Sequence, residues 1–277
     1  MQLVHTEYWH NKHKLVGSAL AMIAMLAAMP VKPVAAEEST AALVNYIEGG
    51  MKHDSLTNGF DDWKGAYLQG SWQQNSETRW DGEVLFQEQY GESGNYFVAG
   101  VTHDFNPDWY GSVHVGGSGS GFFFPDYRID GSIHRKLLPE RNLVLTAGTG
   151  YIEQKDEHRD RYLYLGAAYY FPDFWSIEGG VRLNKSSPGS VSSTRYLLSL
   201  SRARDKVRHI ALSIDWGDES YLAIGPTSSL VDFPSTVVTV NWREWLSRDV
   251  GVHMIAEYYD SEVFNRTGVT IGVFKEF

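Results

Sequence analysis

Apolar and polar residues alternate with a period of two along most of the chain beyond residue 37. From Trp175 to Asn184, Trp175, Ile177, Gly179, Val181 and Leu183 fall on one face, and Ser176, Glu178, Gly180, Arg182 and Asn184 on the other. The same pattern sets Tyr127, Ile129, Gly131 and Ile133 against Arg128, Asp130, Ser132 and His134. It returns in Ile210, Leu212, Ile214 and Trp216 against His209, Ala211, Ser213 and Asp215, and in Val250, Val252, Met254, Ala256 and Tyr258 against Gly251, His253, Ile255 and Glu257. This periodicity marks β-strands with two unlike faces, and no capped helical pattern competes with it. The pattern predicts strands near 43–53, 64–74, 80–90, 95–104, 109–117, 126–137, 142–153, 160–170, 174–184, 194–203, 207–217, 235–244, 249–259 and 267–277. That makes about fourteen, or twelve if the first and one other are lost. At roughly 9–11 residues, each is long enough to cross a bilayer as a tilted strand.

Proline cannot donate to a strand ladder. The seven prolines after residue 37, at positions 107, 125, 139, 172, 188, 226 and 234, all fall between these segments. Pro107, Pro139 and Pro172 recur at the period of one hairpin, which predicts a meander with tight turns on one side. Longer connections are expected on the other side at 116–126, 153–160, 185–193, 217–233 and 260–266. Gly116–Gly121 reads as a flexible loop ending in exposed Phe122, Phe123 and Phe124.

The first 36 residues differ. Lys12, His13 and Lys14 precede an unbroken apolar and small-residue run from Leu15 to Met29, followed by Pro30, Pro33 and Val34-Ala35-Ala36. The run is too short for a spanning helix, and the pattern reads as a secretory signal over residues 1–36, leaving 37–277 as one domain. Removing Lys12, Lys14, Lys32 and Glu7 changes 24 basic and 34 acidic residues to 21 and 33, or from −10 to −12. That charge counts against nucleic acid as a partner. The chain has no cysteine, which excludes disulfides, thiolate metal sites and a cysteine-borne lipid anchor. A mean hydropathy of −0.31 argues against a helical membrane protein but is compatible with strands that average an apolar and a polar face.

Three features favour a membrane barrel over a secreted sandwich. Aromatic residues gather near strand ends, as in the interfacial girdles of such barrels: Trp63, Trp72, Trp80, Trp109, Tyr110, Tyr151, Phe171, Phe174, Trp175, Trp216, Trp242, Trp245, Tyr258 and Tyr259. The C-terminus alternates through Val269, Ile271 and Val273 and stops on Phe277. Thr270, Gly272 and Phe277 fit the signal read by the bacterial barrel-assembly machinery, with Lys275 where a second aromatic is usual. The third feature is the export signal. The expected fold is therefore all-β, an antiparallel up-and-down transmembrane β-barrel embedded in outer membrane lipid.

The stretch from about Phe123 to Phe277 resembles the YaiO family of bacterial outer-membrane β-barrel proteins. The likeness is carried by Tyr127-Arg128-Ile129-Asp130, Leu137-Leu138-Pro139, Leu145-Thr146-Ala147-Gly148-Thr149-Gly150-Tyr151, Asn241-Trp242-Arg243-Glu244-Trp245-Leu246, Gly251-Val252 and Glu257-Tyr258-Tyr259-Asp260. The resemblance implies an outer-membrane barrel and a link to surface polysaccharide or its export components. It carries over no catalytic residue.

A charge on the lipid face near mid-bilayer costs roughly 2–4 kcal/mol for Arg or Lys. Arg128, Asp130, Glu178, Arg182, Arg195, Asp215, Arg243 and Glu257 are therefore expected to line the lumen, either pairing across it or lining a path for polar solutes. In the second case Tyr162 and Tyr164 are candidate sugar platforms. Enzyme signals are sparse: Ser112 with His114, and His209 with Ser213, share strand faces. No phosphate loop, zincin helix or spaced metal cluster occurs, and no cofactor is expected. The sequence thus points to a non-enzymatic barrel for passage or assembly of polar solutes or surface polysaccharide. The alternative is an outer-membrane lipid-modifying or hydrolytic enzyme.

Overall fold

In a computed structural model, which describes residues 45–226 and 228–277, the chain forms fourteen strands and one closed antiparallel barrel. The strands are β1 (Tyr46–Leu56), β2 (Trp63–Gln73), β3 (Thr78–Gln89), β4 (Glu92–Asn106), β5 (Trp109–Ser120), β6 (Tyr127–Leu137) and β7 (Leu143–Glu153). They continue as β8 (Arg159–Tyr170), β9 (Trp175–Ser187), β10 (Val191–Arg204), β11 (Arg208–Gly225), β12 (Ser228–Trp245), β13 (Val250–Ser261) and β14 (Asn265–Glu276). Each strand pairs with its sequence neighbours, and β14 closes on β1 in a register running from Tyr46↔Glu276 to Leu56↔Arg266. Closure leaves no open sheet edge, the condition for crossing hydrocarbon with strands. The expected signal segment 1–36 lies outside the described residues.

The barrel is apolar on the outside. Leu68, Phe86, Val113, Ile129, Leu163, Leu198 and Ile271 are exposed outward, while Glu48, Asp54 and Asp160 are buried within. Polar groups inside and hydrocarbon outside reverse the usual soluble arrangement and suit a lipid solvent.

With fourteen strands, both ends of the barrel chain reach the same rim, here the terminal rim; the opposite end is the far rim. At the terminal rim, arginines lie over tryptophans: Arg135 over Trp109 at 5.2 Å, Arg202 over Trp175 at 5.4 Å and Arg208 over Trp242 at 5.4 Å. Toward the far rim, Tyr127 packs on Tyr151, and Tyr196 stacks on Trp216. Between Arg135 and Tyr127 of β6 lie eight residue steps, about 26 Å along a strand and about 20 Å of membrane thickness after a tilt of roughly 40°.

Several expectations are corrected. The first strand begins at Tyr46, shifted from 43–53. The long far-rim loops largely dissolve into strand: β9 and β10 are joined by residues 188–190, and β11 and β12 extend over 18 residues each. Pro234 therefore lies inside β12, opposite Asp218, beyond the part of the hairpin that pairs with both of its neighbours. Gly116–Ser120 is strand, and the phenylalanines pack on the barrel: Phe124 stacks on Tyr96 at 5.4 Å, Phe122 meets Tyr90 at 5.8 Å, and Phe123 lies between them. Trp63, Tyr110, Trp245 and Tyr259 leave the girdle for the interior. Trp63 and Tyr259 join Phe264 in a buried cluster, Tyr110 stacks on His134, and Trp245 packs on Phe274.

Candidate functional site

The lumen is filled on one side and open on the other. On the filled side, formed by β13, β14, β1 and β2 with Arg243 reaching in from the terminal-rim end of β12, the buried carboxylate of Glu48 accepts from the Tyr67 hydroxyl at 2.7 Å and Gln69 Nε2 at 3.0 Å. His253 Nδ1 lies 2.6 Å from it, and Arg243 Nη2 donates to its second oxygen at 3.1 Å. Nearer the far rim, Lys52 pairs with Asp54 at 3.3 Å, and Arg266 pairs with Glu257 at 2.5 Å while lying over the Trp63 and Tyr259 rings. These groups close that side of the interior with charge pairs and rings. Gly272 belongs to this packing, because a Cβ there would sit 2.3 Å from the Tyr67 hydroxyl.

Along β5 to β12 the interior is open. Two cavities of about 400 Å³ each share Arg182, Arg195 and Asp215. One reaches Ser112, His114, Ser132 and Gly148; the other runs toward the far rim past Asp160, Ser193, Glu219 and Tyr221. Arg195 Nε donates to Asp215 at 2.6 Å, and its Nη1 donates to the Ser235 hydroxyl at 2.7 Å and reaches Glu219 at 3.4 Å. Arg128 donates to Asp130 at 2.5 Å. Asp160 accepts from the Ser186 hydroxyl, and Asn184 links Ser186 to Ser220. Arg182 is different: it lies 3.8 Å from the centre of the Tyr162 ring and has no carboxylate within ion-pair distance among the described residues.

The eight residues singled out by charge and alternation therefore divide. Asp130, Arg182, Arg195 and Asp215 border the cavities, Arg128 binds Asp130, and Glu178 accepts from the Tyr164 hydroxyl at 3.3 Å. Arg243 and Glu257 belong to the filled side. Glu48, Asp54 and Arg266 escaped the sequence reading: Arg243–Glu48 and Arg266–Asp54 join residues about 200 positions apart and form only when β14 closes on β1, whereas Arg266 meets Glu257 across the β13–β14 hairpin, nine residues away. At the C-terminus, Val269, Ile271 and Val273 face outward, Thr270 and Gly272 share the opposite face, and Phe277 is exposed, its amide donating to the Asn45 carbonyl at 2.9 Å.

The serine and histidine pairs do not assemble as the sequence suggested. The Ser112 hydroxyl is bound to Ser132 at 2.7 Å, while His114 lies 3.1 Å from Asp81. Ser132 does meet His134 Nε2 at 2.8 Å, but the other ring nitrogen faces the Thr146 hydroxyl at 2.9 Å, where a carboxylate would be needed to orient a catalytic base. No hydrogen bond joins His209 to Ser213 among the described residues. Nor, among those residues, does any group of His, Asp and Glu side chains have the arrangement of a metal site.

A closed fourteen-stranded antiparallel barrel, apolar without and charged within, is an outer membrane β-barrel with a porin-like fold. Residues 44–222 match the YaiO membrane beta barrel domain, and the chain belongs to that family. The match starts well before Phe123 and ends at Leu222, so the likeness seen at 241–260 lies beyond it. No curated protein sequence matches the chain. Among solved structures, the fold is similar to the CymD monoaromatic hydrocarbon channel, with a TM-score of 0.57 and 8% identity over 84% of this chain and 88% of that one. It is similar to a TodX monoaromatic hydrocarbon channel mutant, with a TM-score of 0.56 and 10% identity over 84% and 91%. A bacterial polysaccharide outer membrane secretin gives 0.51 and 9% over 86% and 100%. At these identities the likeness is one of fold alone.

Proposed function

We propose that the protein is a non-enzymatic outer-membrane channel for polar solutes, exported by cleavage after residue 36 and inserted by the barrel-assembly machinery through Thr270, Gly272 and Phe277. In this reading the terminal rim faces the periplasm and the far rim faces the outside, and surface polysaccharide or its export components are partners at the far rim. The observation that carries the reading is the pair of adjoining cavities along β5–β12, bordered by Asp130, Arg182, Arg195, Asp215 and Glu219. A charged wall of this kind holds water and polar solutes and rejects hydrocarbon, which separates the proposal from the cargo named for two of the similar barrels. The Ser132–His134 contact, with the Thr146 hydroxyl and not a carboxylate at the second ring nitrogen, favours a structural role for those residues.

Purified protein inserted into a planar lipid bilayer is expected to give stepwise ionic current. Folded protein that inserts and leaves the bilayer sealed would overturn the channel reading.

A further inference from the structure

The open side of the lumen contains two tyrosines set flat against the wall. A Cβ at Gly150 would lie 2.3 Å from Tyr162 Cε1; one at Gly166 would lie 2.6 Å from the Tyr164 hydroxyl, and one at Gly180 2.3 Å from the same oxygen. Glycines on β7, β8 and β9 thus make the floor on which both rings rest, the close approach that glycine in a strand permits. The two rings then differ. The lumenal face of Tyr162 is covered by the Arg182 guanidinium, and its hydroxyl donates to Asp130. Tyr164 borders the cavity, donates to Glu178, and among the described residues is covered by no ring or guanidinium.

We propose that Tyr164 is the platform of a saccharide site that takes the C–H face of a non-acidic pyranose. A flat ring with one bare face offers the apolar contact, and the groups at its edge supply both kinds of hydrogen bond. Glu178 accepts, Arg182 donates through N–H groups that no carboxylate among the described residues occupies, and Ser132 does either. A volume of about 400 Å³ lies within the usual range of roughly 300–1,000 Å³ for small-molecule sites. Charge decides the class of sugar. Arg128 and Arg195 are already held by Asp130 and Asp215, which leaves Arg182 set against two carboxylates, Glu178 at the Tyr164 hydroxyl and Asp160 in the adjoining cavity, neither of which has an ion pair among the described residues. The carboxylate surplus repels a uronate and admits neutral or amino sugars.

This site rests on the reading that the lumen admits solutes, but binding can be measured without current. Ligand-observed NMR on folded protein in detergent micelles would use cellobiose, the glucosamine dimer and digalacturonate. Cellobiose or the glucosamine dimer is expected to bind more tightly than digalacturonate. Tyr164→Phe should retain that binding, and Tyr164→Ser should weaken it about tenfold, with the heat-modifiable gel shift confirming a folded barrel. Preference for digalacturonate, or equal binding by Tyr164→Ser, would overturn the site. Current without binding of any of the three would also remove it while leaving the channel; binding without current would keep it and remove passage.

Discussion

Glu48 shows how a single residue ties the closing seam to the rest of the barrel. Its side chain is fully buried and is held at once by Tyr67, Gln69, His253 and Arg243. A buried carboxylate with this many donors is stable only as a set, and removing one member leaves the others desolvated and unpaired. Glu48→Ala is expected to cost about 3–5 kcal/mol, read as a lower urea midpoint for unfolding in detergent micelles. Glu48→Gln should cost less, because the amide still accepts from Tyr67 and Gln69. Alternation in the sequence was enough to turn Arg243 inward, since the neighbouring Trp242, with Val238 and Val240, needed the other face. It could not name Glu48 as its partner, because strand period says which face a residue occupies and nothing about what stands across the lumen. The same limit explains Trp63 and Tyr259. Position near a strand end suggests the girdle, but Tyr259 shares the parity of Glu257, and that parity takes it inside.

At the scale of the element, the hairpin of β11 and β12 stands apart. Its bend begins at Gly217, where a φ of 134° and a Thr194 carbonyl 2.1 Å from any Cβ leave room only for glycine. Pro234, lying nearby in β12, supplies no N–H to the ladder. Beyond this point the hairpin leans over the mouth. Ser220 bonds Asn184 and Ser193, Leu222 and Ile224 pack against the Trp63–Phe264 cluster, and Tyr221 stacks on His158 at 3.5 Å while donating to Asp156 at 2.6 Å. The turn signals in 217–233 looked like an outer loop because Gly, Ser and Pro punctuate loops; here they bend a strand pair. Burial pushes the Asp156 carboxyl up, but its bonds from Tyr221 and His158 outweigh this and hold it below its ordinary value of 3.8. The contact therefore adds stability above that value, and the addition is lost only as pH falls through the lower, folded-state pKa. Since the chain has no cysteine, the hairpin can be locked cleanly. Oxidising a His158→Cys, Tyr221→Cys pair is expected to slow solute entry into proteoliposomes by about fivefold or more, the low end of conformational coupling, and reduction should restore it. Equal rates in both states would mean that solutes pass beside the hairpin.

The whole molecule combines a girdled apolar exterior with an interior whose charges do not balance. Strand number, closure and the two-faced pattern were legible because the bilayer imposes one rule on every strand: apolar outward, polar inward. The division of the lumen into a filled and an open half was not legible, because all fourteen strands obey that rule alike and only closure decides which polar faces meet. The consequence for transport follows from the open half. Its two cavities are bordered by Asp130, Asp160, Asp215 and Glu219 against Arg182 and Arg195, four acids and two bases, a difference of −2. Low-dielectric walls around such a surplus concentrate cations and exclude anions. In a potassium chloride gradient the reversal potential is expected to show potassium favoured over chloride. The preference should shrink as ionic strength rises from 0.1 to 1 M, because the screening length falls from about 10 Å to about 3 Å. Asp160→Asn with Asp215→Asn should bring the ratio toward one at low salt, and chloride preference in the unaltered protein would show that the arginines, not the carboxylates, set the field inside the barrel.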